Sequence, residues 1–562
     1  MSTFSKLLAI LFLLYQALVF SASEKPVRAE NGMIVTADSL ASKAGLQILK
    51  NKGNAIDAAV AAGFALAVTY PYAGNIGGGG FMVIHLGDGR NITIDFREKA
   101  PASAHKNMYL DDKGKPIPEM SLENWSAAGV PGSVAGLIYA LEHYGTKSLA
   151  EVIQPAIDLA ENGFKINRSF AASLNSYKKD FTKFESTKKI FVKDDGIGFR
   201  SGDIFIQKEL AETLRRIKEK GKVGFYEGKT AWLLAEQSEK MGGYITLEDL
   251  KNYNPIEREP VKGKYKDLEI ISMPPPSSGG IALIEALNVL EKYSFSDDEW
   301  NSGNYVHTLT EILRQVYADR SEYLGDSDFY PVPVDELISK DYADNIAGQI
   351  PPDSARSSKD VNPGLELKNE SSETTHYSVI DKNGNAVSVT TTINSGYGSK
   401  VVVDGAGFFM NNEMDDFSAK PGVPNQFGLI GAEANSIEPG KRMLSSMTPT
   451  IVLKNDQPYL ILGSPGGSTI ITTVLQVILN VAEFDMDIQE AVNAPRFHHQ
   501  WLPDEIDYEK FALIEDVKEN LKKMGHILGN ERTLGRAQSI LVRDEIYYGA
   551  TDPRSDGMAA GF

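Results

Sequence analysis

Two runs rich in β-formers, split by one Asn-Gly pair and entered straight from a polar tail, constrain this chain more than any other feature. Residues 351–373, PPDSARSSKDVNPGLELKNESSE, are Pro/Ser-rich and carry no apolar periodicity, the pattern of a loop. TTHYSVID (374–381) and AVSVTTTI (386–393) follow, with Asn383-Gly384 between them. An Asn-Gly pair between β-rich runs predicts a hairpin. In the simplest register Thr374 stands across from Ile393, with Thr392 and Asn394 on either side. Because side chains alternate, Thr392 or Asn394 shares a face with Thr374 only if a bulge shifts the register by one.

A threonine that opens a strand is unremarkable, since strands favour Thr. It becomes chemically interesting if the bond between Glu373 and Thr374 is cut. A hydroxyl is a poor nucleophile until a base takes its proton, and an N-terminal threonine carries its own base. The α-amine has a pKa of about 7.7 to 8.0, against about 10.4 for lysine, so a useful fraction is unprotonated at neutral pH. β-Branching restricts χ1 and helps hold the hydroxyl near that amine.

The rest of the chain reads as mixed α and β. A short strand over 32–37 leads to a helix capped by Asp38, running to about Lys50 and closed by Gly53. A second helix, capped by Asn54 and ending at Thr69, is apolar nearly all round except at Asp57, as a helix buried between layers would be. Four glycines, Gly77 to Gly80, precede FMVIHLGDGRNITID, a hairpin turning at Asp88-Gly89. The glycines lack dinucleotide-fingerprint spacing and are read as letting backbones approach closely. Residues 141–345 alternate amphipathic helices with loops. PTIVLKNDQPYLILG and STIITTVLQVILNVAEF continue the pattern of strands and helices toward the C-terminus.

Composition removes several function classes. A formal net charge of -18 and a pI near 5.1 argue against nucleic acid as a partner, because such binding needs Lys/Arg to neutralise phosphates. With no cysteine there is no disulfide, thiol nucleophile or Cys-ligated metal site. The eight histidines include His498-His499 but show no HExxH-type spacing, so no metal or other cofactor is expected. His376, two residues into the strand, is expected to pack or orient. Lys6, an apolar run over 7–20 and Ser21-Ala22-Ser23 have the form of a Sec-type signal peptide covering 1–23. The run is shorter than the roughly 20 apolar residues of a membrane span, so an exported mature protein without a membrane span, periplasmic or secreted, is expected.

TTHYSVIDKNGNAVSVT, NNEMDDFS, LSSMTPTIVL and GSPGGS, with AGNIGGGGFM and DFREKAP upstream, closely resemble the γ-glutamyltransferase family of N-terminal-nucleophile hydrolases. The resemblance runs from about Ala29 to the ATDPRS segment, six motifs in the family's order. It implies an α+β fold, a four-layer αββα sandwich, made from a precursor that cuts itself into a large subunit (24–373) and a small catalytic subunit (374–562) that stay together as a heterodimer. It implies cleavage of glutathione and other γ-glutamyl compounds, with transfer of the acyl group to water, amino acids or short peptides.

Carried over by position, Thr374 matches the nucleophile and Thr392 the threonine that assists it. Asn394, Glu413 and Asp416 match residues holding the γ-glutamyl amino group, and acceptor oxygens suit an ammonium. Arg97 matches the partner of the substrate α-carboxylate, which a planar guanidinium can meet through two bonds, with Ser445 and Ser446 completing that grip. Gly466 and Gly467 match the oxyanion hole. The reading of YLILG as strand and STIITTVLQVIL as helix supports this, since free N–H groups at such a turn can stabilise an oxyanion. Residues 417–443 match a lid present in some members, with Phe427 near its tip where related bacterial sequences often carry tyrosine. Two rivals are an acylase of the same family acting on glutaryl-type β-lactam side chains, which would need no ammonium receptor, and an exported binding protein that is never cut.

Overall fold

The computed structural model describes residues 24–193, 196–361, 374–418 and 432–562. The leader, residues 362–373 of the polar tail and the tip of the expected lid with Phe427 lie outside the described residues. Local signals at the N-terminal end of the chain produce the elements they predict. Asp38 accepts the N–H groups of Leu40 and Ala41 and starts the helix Ser39–Lys50. Asn54 and Asp57 form a reciprocal capping box at the start of Ala55–Thr69, a helix whose fifteen residues are all buried. Asp57 is tolerated there because it also accepts from Thr146 and the Lys147 N–H.

Two antiparallel seven-stranded sheets lie face to face. In the first the order is Met558–Gly561, Gly32–Thr36, Thr375–Asp381, Ala386–Thr392, Gly79–His85, Asn91–Asp95 and Ile256–Arg258. In the second it is Val27–Ala29, Ile546–Thr551, Gln538–Arg543, Gln457–Leu462, Thr450–Lys454, Leu268–Ser272 and Val261–Tyr265. The period-2 alternation of strands divides their side chains between two dry layers. Met33, Val35, Val83 and Ile380 meet Ile271, Ile451, Ile461 and Ile540 between the sheets. Ile34, Met82, Val379 and Val389 face the other way, onto helices that include Ala55–Thr69 and Ser133–Tyr144. Val452, Leu460 and Leu541 pack outward against Gly279–Leu290, Gly303–Tyr323 and Thr469–Ala482. The result is the four-layer αββα sandwich. Among the described residues no helix is long and apolar enough to cross a membrane.

Two expectations need correction. The stretch 141–345 is not helices and loops alone: Ile256–Arg258, Val261–Tyr265 and Leu268–Ser272 close one edge of each sheet. The turn of the central hairpin is also longer than two residues. Gly384 lies at φ +80°, its N–H donates to the Asp381 carbonyl, and the Asp381 N–H donates to the Asn385 carbonyl. The Asp381 carboxylate accepts the N–H groups of Asn383 and Asn385, so three residues form the loop. Ile380 then pairs with Ala386, and Thr375 with Thr391. Continued by one residue, this register sets Thr374 opposite Thr392 instead of Ile393.

Gly384 is the residue that permits this loop. A Cβ there would meet only the Gly87 Cα at 3.9 Å, so the cost of a side chain is backbone strain. Gly384→Ala is expected to destabilise the protein by about 1 kcal/mol, read as an earlier urea midpoint. Gly384→Asn, better tolerated in the left-handed region, should lose less; equal losses would show that space, not φ, governs the position.

Candidate active site

The corrected register decides which face Thr374 shares. Its even-numbered strand-mates His376, Ser378 and Ile380 point between the sheets, as do Ala386, Ser388 and Thr390 across the ladder. Along this face the side chains change from apolar at the turn to polar at the open end, where Thr374 and Thr392 stand, 5% and 3% exposed. Thr392 Oγ1 accepts the Asn394 N–H at 2.7 Å. His376 is held between Thr390 Oγ1 at 2.9 Å and Ser378 Oγ at 3.0 Å. Burial depresses it to about 3, so it stays neutral and braces the ladder.

The second sheet supplies the opposite wall. His376 packs directly on Gly463, where a Cβ would lie 2.4 Å from the ring, and Ser388 Oγ donates to the Leu462 carbonyl. The turn 464–468 after the strand Gln457–Leu462 therefore sits beside the start of the Thr375–Asp381 strand. Gly466 has φ +141° and Gly467 φ +55°, and a Cβ on Gly466 would strike Thr469 Oγ1 at 2.4 Å. Among the described residues neither glycine N–H has a hydrogen-bond acceptor. Two unspent donors just before the helix Thr469–Ala482 suit a developing oxyanion.

On the other side of Thr392 lies a buried ion cluster. The Asn394 side-chain nitrogen donates to the Asn412 carbonyl at 2.9 Å, which leaves Oδ1 as an acceptor beside the short helical turn Glu413–Asp416. Arg97, 1% exposed, meets Glu413 at 2.6 Å, Glu98 at 3.5 Å and Asp416. It also donates to the carbonyls of Met443 and Leu444. Burial alone would depress this guanidinium, but Glu413, Asp416 and Glu98 together hold it above its ordinary value. The carboxylates show the converse. Burial pushes Glu98 up to about 8, Glu413 well above the usual range and Asp416 upward, because one shared cation cannot offset the desolvation of all three.

Ser445 and Ser446 follow the carbonyls that Arg97 grips. Ser445 Oγ accepts the Met447 N–H at 3.2 Å, and Ser446 Oγ accepts from Arg320 Nη2 at 3.0 Å. Contacts thus link Thr392 to Asn394 and Arg97 to Glu413, Asp416 and the carbonyl before Ser445, while Thr374 stands at the open end of the same hairpin and Gly466 and Gly467 follow the Gln457–Leu462 strand of the facing sheet.

Comparison with known proteins gives the family. The gamma-glutamyltranspeptidase family model matches residues 41–562. The chain belongs to the gamma-glutamyltranspeptidase family. It is 48% identical over 540 residues to the glutathione hydrolase proenzyme of Escherichia coli (strain K12), covering 96% of this chain and 93% of that one. It is 38% identical over 546 residues to the acylase ACY 1 proenzyme of Pseudomonas sp. (strain V22), covering 96% and 95%. Cephalosporin acylase from Bacillus halodurans superposes with a TM-score of 0.84 at 28% identity, over 97% of this chain and 98% of that chain. Gamma-glutamyltranspeptidase of Helicobacter pylori is 48% identical with a TM-score of 0.58, over 61% of this chain and 97% of that chain.

In this gamma-glutamyltranspeptidase family member three further residues stand at the cluster. Glu98, inside DFREKAP, pairs with Arg97. Ser278 and Arg320 belong to a stretch read as scaffold, and only the fold brings Arg320 to Ser446 and Ser278 to the Ser445 carbonyl. Elsewhere, the ligand atoms of His307, Glu311 and His526 lie within 4.8 Å of one another. Glu311 is already paired with Arg314 and Arg356, and the two imidazoles bond to each other at 2.7 Å, so this cluster reads as an internal brace.

Glu98 gives the site a pH signature. Its carboxyl titrates near 4.5 when exposed and about 8 in the fold, so the native state retains a proton that the unfolded chain has lost. The stability it contributes is full below about pH 4.5 and is lost as pH rises through about 8. Glu98→Gln is expected to flatten that decline, measured as urea midpoints at pH 5 and pH 8. An unchanged slope would exclude Glu98 as its source.

Proposed function

We propose that this protein is a γ-glutamyltransferase and glutathione hydrolase, made active by a cut between Glu373 and Thr374. The observation that carries the reading is the mutual pairing of Arg97 with Glu413 and Asp416, next to a threonine that opens a strand. An α-amino acid end is a zwitterion, and it can take over both halves of this pairing. Its carboxylate replaces Glu413 and Asp416 at Arg97, with Ser445 and Ser446 donating to it. Its ammonium is received by Glu413, Asp416 and Asn394 Oδ1. Bound in this way, a γ-glutamyl donor would extend its amide toward Thr374.

The chemistry then needs no group from outside the chain. The freed α-amine of Thr374 takes the hydroxyl proton, and Oγ attacks the γ-amide carbonyl. The Gly466 and Gly467 N–H groups receive the negative oxygen. The leaving amine departs with the proton, which leaves a γ-glutamyl ester on Thr374. Water, or the amine of an amino acid or short peptide, attacks that ester and restores the threonine. Thr392, whose hydroxyl oxygen already accepts from Asn394, is suited to donate to Thr374 and fix its orientation.

In this reading the large subunit spans 24–373 and the small one 374–562. The Helicobacter pylori chain aligns along nearly all its own length with 61% of this one, close to the share that 24–373 occupies. We further infer export, on the composition of residues 1–23. A glutaryl donor, which has no ammonium, would draw Arg97 away from Glu413 and Asp416 without supplying a replacement for it, and this favours γ-glutamyl over acylase substrates.

Thr374→Ala is expected to run as one uncut band on a denaturing gel and to lose γ-glutamyl anilide cleavage. A cut or active variant would refute the assignment, as would an active wild type that remains one polypeptide. Arg97→Lys, which replaces a two-pronged contact with a single point charge, should weaken donor binding by about tenfold or more. If glutaryl anilide is cleaved faster than γ-glutamyl anilide by the wild type, the acylase reading replaces this one.

A further inference from the structure

Arg320 lies in the last turn of the helix Gly303–Tyr323 and is 3% exposed. Its Nε donates to Ser278 Oγ at 2.9 Å and its Nη2 to Ser446 Oγ at 3.0 Å. Ser278 has spent its hydrogen: it accepts from Arg320 and donates to the Ser445 carbonyl at 2.8 Å, to which its own N–H also points. The two serines of the grip are in a different state. Ser446 Oγ accepts from Arg320, Ser445 Oγ accepts the Met447 N–H at 3.2 Å, and each hydroxyl keeps its hydrogen to give. A hydroxyl has one donor and two acceptor positions, so an acceptor position filled by an N–H of the protein biases the hydrogen away from that partner. The charge on Arg320 also polarises the Ser446 O–H and strengthens it as a donor.

We propose that Arg320 is a positioning residue for donor binding: clamped between Ser278 and Ser446, it aims the Ser446 hydroxyl hydrogen at the α-carboxylate of the γ-glutamyl group. The inference rests on the function proposed above and extends it to a residue that does not itself touch the donor. Its carboxylate-directed role also fits the rest of the cluster. Arg320 acts on Asp416 through space and, with Arg97, opposes the upward push of burial on that carboxyl. When Arg97 turns to a bound carboxylate, Arg320 remains as a cation acting on Asp416.

The test is a double-mutant cycle on γ-glutamyl anilide cleavage with Arg320→Met, Ser446→Ala and the pair together. Each single change is expected to raise KM by about tenfold, the worth of one charge-assisted hydrogen bond, with kcat within about threefold. The double variant should be no worse than the more affected single, because both changes remove one device. Multiplying effects, a fall in kcat at constant KM, or no effect of Arg320→Met would each overturn the proposal. Should Arg320→Met be recovered uncut or insoluble, Arg320→Lys takes its place, keeping the charge and losing the fork, with the same coupling to Ser446 expected and additivity again decisive. A wild type that cannot cleave the anilide refutes the functional reading and this inference with it; an active wild type with additive variants refutes this inference alone.

Discussion

From one buried guanidinium, Arg97 reaches the carboxylates of Glu98, Glu413 and Asp416 and the carbonyls of Met443 and Leu444. Asp95 accepts its backbone N–H, and Tyr253 donates to its carbonyl. Taking such a charge out of water is costly unless it is paired and hydrogen-bonded, and removing one partner from a buried pair typically costs about 3 to 5 kcal/mol. The segments that carry these partners are therefore not free to drift. Loops that would otherwise be set only by their own turns are pinned at one point, and the placement of Ser445, Ser446 and Asn394 follows from it.

A second regularity is the way hydroxyl groups are prepared. Ser445 and Ser446 each accept an N–H within the protein, so each keeps a hydrogen to donate. The opposite preparation is applied to Asn394, whose nitrogen is used internally so that its oxygen faces the site. Donors are gathered where an anion is expected and acceptors where a cation is expected. The polarity of the pocket is thus set by groups that stand behind the residues lining it.

Much of this was readable from the residues, for local reasons. The helices Ser39–Lys50 and Ala55–Thr69 follow from caps at Asp38 and Asn54, and the central hairpin from Asn383-Gly384. Its register was not readable, because the dipeptide does not reveal that the Asp381 carboxylate would gather the N–H groups of Asn383 and Asn385 into a three-residue loop. The strands Val261–Tyr265 and Leu268–Ser272 were hidden by their charge: Lys262, Lys264 and Glu269 interrupt the apolar pattern at the edge of a sheet. Candidate site residues inside motifs have local signals, whereas Arg320 meets Ser446 across 126 positions and has none.

The order of strands in the first sheet has one more consequence. Strands that precede residue 374 and strands that follow it are interleaved: Gly32–Thr36 lies between Met558–Gly561 and Thr375–Asp381, and Ala386–Thr392 pairs with Gly79–His85. A backbone break between them would not create two bodies that can part and meet again. Neither piece would own a complete sheet or a closed core. Each mature molecule would therefore keep for life the half it was synthesised with, and mixing two variant populations after cleavage would yield no hybrids.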